Sequence, residues 1–509
     1  MAMSVRQVFA WCFSGCVAMV GCVAMIGSAT VFADEGMFPI SELDKIGLNA
    51  RGVQLTPDEI FNTQSTSLVD GICRVNGCTG SFVSPEGLII TNHHCAFDAI
   101  QKGSSAQRDL LTDGFIAANL GEEIQAPNYT VRITESYTDV SEEVLSVVEP
   151  DMAFLDRTKA IDRRRKELEL AAEKENPGMR AEVAEMFVGK TYVLFLYTYL
   201  KDVRLVFAPP ISIGAFGGEL DNWEWPRHTG DFSLMRAYTA PDGKPAEYSP
   251  ENVPYRPKNH LRVQPFGVDE GDTVFLLGYP GRTVRNRTAS FIRYEQNIRL
   301  PIIVELYAWQ IQEMERAGAN DRSVAIRHAT RIKSLANVEK RSRGQLIGLR
   351  RAGIEAKRLA RESELQAFID NRSAEMSKYK TVLSDISAVY EEMTRRGALE
   401  LHLRELRIAP RLLSFAFTLV DAAHERVKTD VERESPYMDR NFSQTTQQLM
   451  LDVGDWHGPT DQRILSGMLD RLKNIPEHQE IEPLSRVLKS SESIDSLAST
   501  LVSTSKLSD

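Results

Sequence analysis

Cysteine is scarce in this 509-residue sequence: six occur, and Cys12, Cys16 and Cys22 fall in an apolar stretch near the start. That scarcity excludes a small fold held together by a dense disulfide framework. Basic residues are not in excess either, with 60 Lys and Arg against 70 Asp and Glu, a formal net charge of −10 and no Lys/Arg-rich tail. A nucleic-acid partner, which needs a basic face to neutralise phosphates, is therefore not expected. No repeat of fixed period and no low-complexity segment occurs, which excludes a solenoid or a disordered tract. With 42% hydrophobic residues, the chain can bury a large core and divide into two or three domains.

What is present begins with a leader. Arg6 precedes an apolar, small-residue run from Val8 to Phe32, and Val31-Phe32-Ala33 ahead of the acidic Asp34-Glu35-Gly36 fits a signal-peptidase site. Residues 1–33 are thus expected to be a signal peptide, leaving a periplasmic or secreted protein with no membrane segment. A retained anchor is the alternative, because the run approaches spanning length. Three cysteines remain beyond it, Cys73, Cys78 and Cys95. In an oxidising compartment two can pair and one is left over.

Residues 34–284 read as short strands and turns. In "GSFVSPEGLIITN" two apolar runs flank Ser84-Pro85-Glu86-Gly87, a cluster suited to reversal. "KTYVLFLYTYL", "VRLVFAPP" and "GDTVFLLGYPG" are further β-branched and aromatic runs bounded by Gly or Pro, and together they suggest a β-barrel or sandwich. The charged, alanine-rich "LDRTKAIDRRRKELELAAEKE" between them predicts an exposed helix. From 285 to 509 strand signals become rare, and Ile326, Ala329, Ile332, Leu335 and Ala336 recur at helical spacing. That stretch is expected to be a mostly α-helical domain.

Two dense motifs carry the chemistry. In "GLIITNHHCAF" a strand delivers His93, His94 and Cys95 together. Three uses of the imidazoles are open: a general base at a stapled corner, a zinc site with Cys73, Cys78, Cys95 and His93, or a capped strand end. The spacing suits structural zinc poorly. In "GGELDNWEWPRHTGDFSLMRAY", Asp231 lies between a Thr-Gly turn and a strand-like run. It is either the acid that orients such a base or a plain turn residue.

Taken whole, "CTGSFVSPEGLIITNHHC" resembles the hairpin of chymotrypsin-like proteases, in which a cysteine pair bridges the base of the hairpin beside the catalytic histidine. With "NWEWPRHTGDF" added, the sequence is similar to the bacterial dipeptidyl-peptidase 7 and 11 family, from "DEGMF" through "GDTVFLLGYPGRT" and more weakly into the helical part. The resemblance implies the first barrel of a chymotrypsin-like double β-barrel followed by a helical cap domain, acting on peptides with free N-termini, without a cofactor or metal and compatible with a homodimer. His94 is then the general base, Asp231 its orienter, and Cys78–Cys95 the disulfide. Asn222, Trp223 and, in "LANVEK", Asn337 would surround the substrate N-terminus, an ammonium suited to amide oxygens and an aromatic wall. Arg227 would brace their loop. Cys73 would be a buried free thiol, and Trp223 and Trp225 have core packing as their plain alternative.

The sequence also departs from that family. Its nucleophile lies near the C-terminus in a Gly-Asn-Ser-Gly-Ser-Pro stretch, whereas here no glycine after Asp231 is followed two positions later by serine. Ser466 sits in an apolar helical pattern, and Ser104 and Ser105 precede Asp231, against the family's order. The expectation is a C-terminally truncated chain without the second barrel and inactive by itself, with a non-catalytic peptide-binding or partner-completed protein as the alternative.

Overall fold

A computed structural model describes residues 37–509 apart from 106, 282, 283, 285, 373–375, 478–480, 490–492 and 507–509. The leader expected at 1–33 lies outside the described residues.

The Ser84–Gly87 turn forms for local reasons. Ser84 Oγ accepts the N–H groups of Glu86 and Leu88 at 3.2 and 3.3 Å. Gly87 takes φ +69°, and a Cβ there would stand 2.8 Å from the carbonyl oxygens of Ala237 and Tyr255, so only glycine satisfies both demands. Just upstream, Asn76-Gly77 closes a two-residue hairpin in which Val75 pairs with Cys78 and Asn76 adopts φ 51°.

The strands are β1 (Ile72–Val75), β2 (Cys78–Phe82), β3 (Leu88–Thr91), β4 (Phe115–Ile116), β5 (Ile124–Gln125), β6 (Val131–Asp139), β7 (Met179–Phe187), β8 (Thr191–Leu200), β9 (Asp202–Ala208), β10 (Ser233–Thr239) and β11 (Val253–Pro254). They form one antiparallel sheet in the order β4-β9-β10-β3-β2-β1-β6-β8-β7, with β11 beside β10 and β5 beside β9. The path has two ends and no closing pair among the described residues. The fold is thus a large antiparallel sheet combined with many helices. Phe82, Ile89, Leu200, Leu205 and Met235 fill the core of the sheet.

One expected strand is corrected. Residues 271–281 carry no regular structure, and Val274 and Leu276 are exposed. A β-branched run becomes a strand only where a neighbour offers hydrogen bonds and packing, and none does so here among the described residues. The segment is held instead through Tyr279, whose N–H donates to Thr79 Oγ1 at 2.9 Å and whose hydroxyl bonds Thr134 at 2.8 Å.

Helices of ten residues or more are α1 (His93–Lys102), α2 (Phe154–Glu175), α3 (Leu300–Gly318), α4 (Arg322–Arg351), α5 (Ile354–Asn371), α6 (Val382–Ile408), α7 (Arg411–Glu425), α8 (Asp439–Gly454), α9 (Gly458–Lys473) and α10 (Ile494–Ser503). The expected exposed helix is α2. Helix α4 starts at Asp321, whose carboxylate accepts the N–H groups of Ser323 and Val324. The predicted apolar stripe on α4 is divided in use: Ala329 packs on the sheet core, whereas Ile332 and Leu335 join Leu306, Met314 and Met468 in a helical core. Gln101 of α1 also donates to the Arg327 carbonyl and accepts from the Thr330 N–H, so α4 is welded to the helix that follows β3. Among the described residues no helix is long and apolar enough to cross a membrane.

Candidate active site

Strand register brings the two motifs together. In the β3–β10 pair Thr91 faces Ser233 and Ile90 faces Leu234. Because the strands are antiparallel, the residues just past Thr91 lie beside those just before Ser233. His94 and Asp231, 137 residues apart in sequence, meet there. The His94 Nδ1 stands 2.8 Å from Asp231 Oδ2, and the His94 backbone N–H donates to Oδ1 at 3.0 Å. Asn92 Nδ2 donates to the Asp231 carbonyl at 3.1 Å. An asparagine ahead of a helix ordinarily caps it, but here its side chain is turned away from that task to fasten Asp231.

An ionised carboxylate can only accept, so the bond at 2.8 Å fixes the proton on Nδ1 and leaves Nε2 with its lone pair. Burial alone would raise the pKa of Asp231. The His94 ring and backbone donors, with the Arg227 charge, outweigh it and hold the carboxyl below its ordinary value. A depressed carboxyl contributes stability above its unfolded pKa and loses it only as pH falls through the folded value.

The two histidines separate cleanly. The His94 side chain is 51% exposed, whereas His93 is 1% exposed, its ring edge-on to Phe97 and pressed against Gly214. Burial pushes the pKa of His93 down, and both its ring nitrogens are buried without a hydrogen-bond partner among the described residues. The zinc set is not assembled: the sulfurs of Cys78 and Cys95 are joined to each other, Cys73 is fully buried, and burial pushes its thiol pKa up. The bridge ties the first residue of β2 to the first turn of α1, one residue from His94.

The expected N-terminus residues also converge. Asn222 Nδ2 donates to Asn337 Oδ1 at 3.2 Å, and Trp223 Nε1 donates to the same oxygen at 3.1 Å. Arg227 Nη1 donates to Asn222 Oδ1 at 3.3 Å, an amide oxygen of its own loop. Trp223 is exposed and held at φ 61°, a backbone conformation rare for a bulky residue and typical of functional loops. Trp225 is 92% exposed, so neither tryptophan is a core residue.

Sequence reasoning missed the support beneath this cluster. Glu219 Oε2 accepts from Asn222 at 2.9 Å, while its Oε1 pairs with Lys333 at 2.7 Å. Lys340 donates to the Leu220 carbonyl at 2.6 Å and pairs with Glu224 at 3.4 Å. Lys333, Asn337 and Lys340 are spaced four and three apart, one face of α4, and that face seats the loop. The only signal in the sequence was this spacing.

Among the described residues no hydroxyl hydrogen-bonds to His94 Nε2. Ser466 lies in α9 and bonds Asp495, and Ser104 Oγ donates to the Ile100 carbonyl. Chemically the site offers an oriented imidazole and, in the Asn222–Trp223–Asn337 cluster, amide groups beside an indole.

Residues 33–509 match the family description "Peptidase S46". Dipeptidyl-peptidase 7 of Capnocytophaga gingivalis is 34% identical over 439 residues, 84% of this chain and 61% of that protein. An Asp/Glu-specific dipeptidyl-peptidase of Shewanella putrefaciens is 32% identical over 435 residues, 85% of this chain and 58% of that protein. The crystal structure of Porphyromonas endodontalis DPP11 in complex with the dipeptide Arg-Glu superposes with a TM-score of 0.78 at 29% identity, covering 94% of this chain and 69% of that one. The chain therefore spans about three fifths of the length of these two curated relatives.

Proposed function

The chain belongs to the peptidase S46 family, and on that premise we propose that it carries the base and orienting acid of a serine-type dipeptidyl aminopeptidase, which removes dipeptides from free peptide N-termini. The observation that carries this reading is the His94–Asp231 contact at 2.8 Å with Nε2 left open. His94 Nε2 takes the proton of a serine hydroxyl as its oxygen attacks the second peptide carbonyl of the substrate, then returns it to the leaving amine of the third residue. Asp231 holds the ring in that tautomer and stabilises the imidazolium formed on the way.

Asn337 Oδ1 accepts from both Asn222 and Trp223 and so fixes these two side chains, while the remaining lone pair of Asn222 Oδ1 and the Trp223 ring face meet the substrate ammonium. Anchoring that end sets the length of the product, since two extended residues reach about 7 Å. Arg227, Glu219 and Lys333 act on this recess by fixing the Asn222 amide rather than by touching substrate. Export to an oxidising compartment suits the Cys78–Cys95 bridge.

The nucleophile and oxyanion donors are assigned to polypeptide other than these 509 residues, which by themselves bind peptide N-termini and do not cut them. Residual catalysis by an incomplete triad needs an intact oxyanion hole, and no such loop follows Asp231 in this sequence. The test incubates the purified chain with fluorogenic dipeptidyl amides and a fluorophosphonate probe, and measures binding of a peptide before and after N-acetylation. Expected are no product, no labelled serine, and binding lost on acetylation. A labelled serine or released dipeptide overturns the division of the site, and equal binding of the acetylated peptide overturns the N-terminal recess.

A further inference from the structure

A cavity of about 490 Å³ lies among α1, α3, α4, α6, α8 and α9, and its wall includes none of the residues of the His94–Asp231 site. Its size is that of a small-molecule site. Charges of both signs line it, and neighbours compensate nearly all of them. Asp461 accepts the N–H groups of Arg411 and Leu412 and the Trp456 indole at 2.6, 2.8 and 3.1 Å. Asp455 pairs with Lys102, Asp452 with Arg411, and Glu405 with Arg404. Arg327 is exposed to water. Burial pushes the pKa of His328 down to about 4 and also lowers that of His457.

Two ionisable groups have no salt-bridge partner among the described residues. Arg331 donates to Gln310 Oε1 at 2.9 Å and to the Ala409 carbonyl at 2.5 Å, both neutral, and no carboxylate lies within salt-bridge distance among the described residues. Burial and the Arg411 charge push its pKa down to about 10 against the pull of Asp461, Asp452 and Glu405, and it keeps accessible surface as part of the cavity wall. On the opposite sign, Asp98 accepts no hydrogen bond among the described residues. Burial raises its pKa against the pull of Lys102, with Asp455 and Asp452 adding to the rise. A third observation points the same way: Gln310 is 1% exposed, lines the cavity, and its Nε2 is buried without a hydrogen-bond partner. A buried amide donor is normally completed by something, and a buried guanidinium by an anion.

We infer that this cavity binds a small zwitterion, a free amino acid or short peptide, whose carboxylate meets Arg331 and the Gln310 amide and whose ammonium meets Asp98. A simple anion would leave Asp98 unmatched and a simple amine would leave Arg331 unmatched, whereas a zwitterion matches both and leaves the charge balance of the wall unchanged.

The inference does not rest on the proposed peptidase function, and the two are separable by experiment. The N-terminal recess requires only a free amine, so it would accept a dipeptide amide; this cavity requires the carboxylate as well. Glycylglycine and glycylglycinamide are titrated into the purified chain by calorimetry, followed by the variants Arg331→Gln, Asp98→Asn and Asn222→Ala, each checked by circular dichroism. Expected is saturable binding of glycylglycine that survives Asn222→Ala and, in that background, weakens about thirtyfold when Arg331→Gln is added, as for loss of one partner of a buried charge pair. The isosteric Asp98→Asn should weaken it similarly, which keeps the test decisive if Arg331→Gln does not fold. In the Asn222→Ala background, no saturable binding of glycylglycine, or equal binding of the amide, each overturns the assignment.

Discussion

Replacing Asp231 with asparagine separates orientation from stability, because the geometry dictates what the new amide must do. The His94 backbone N–H points at Oδ1 from 3.0 Å and needs an oxygen there. The amide NH2 then falls at the Oδ2 position, 2.8 Å from Nδ1 of the ring. A donor in that place is met only by an unprotonated Nδ1, so the ring proton moves to Nε2. The energetic change is small: a charge-assisted bond contributes about 1.5–3 kcal/mol and a neutral one about 1, a loss of about 1 kcal/mol. For a chain of this size that lowers the melting temperature by less than about 4 °C. The tautomer nevertheless inverts, and an Nε2–H cannot accept a proton from any hydroxyl. Long-range ¹H–¹⁵N spectra of histidine-labelled protein read the tautomer directly, and calorimetry reads the melt. A variant that keeps Nδ1–H would refute the reasoning, as would a melting temperature lowered by more than about 10 °C, since the carboxylate would then be chiefly structural.

Three further outcomes are expected. Substituting both Cys78 and Cys95 by serine should cost about 3 kcal/mol in denaturant unfolding, the value for a loop near this length, while Cys73, fully buried, should resist thiol reagents until the protein unfolds. Gly87→Ala should destabilise by about 3 kcal/mol, combining a left-handed backbone with contact against two carbonyl oxygens; a loss under about 1 kcal/mol would show that the turn relaxes.

The sequence made legible whatever was written locally. The Ser84–Gly87 hairpin, helix α2 and the helical character beyond 285 follow from residues adjacent in the chain or one helical turn apart. Asn76-Gly77 is an equally local hairpin signal. The choice of His94 over His93 was not local: both share one motif, and only the resemblance to chymotrypsin-like proteases favoured the residue beside Cys95. The structure supplies a reason, since the first histidine points at Gly214 and the core, and the second at Asp231. What stayed hidden depended on distant partners. Nothing near Glu219 announces Lys333, 114 residues away, and the run at 271–281 has the composition of a strand but no neighbour to pair with. Composition specifies what a segment can do, whereas a partner decides whether it does.

The ladder between β3 and β10 has one more consequence. Because Thr91 and Ser233 are opposite each other, the separation of His94 and Asp231 is set by two short strand ends and is independent of the route the chain takes between them. That route holds α2 and the β7–β8 hairpin, and it can lengthen or shorten through insertions and deletions without moving His94 or Asp231. A one-residue slip of the ladder has the opposite effect, turning one partner to the other face of the sheet. The site therefore tolerates large changes of chain length in the intervening segment and almost none of phase at the two strand ends.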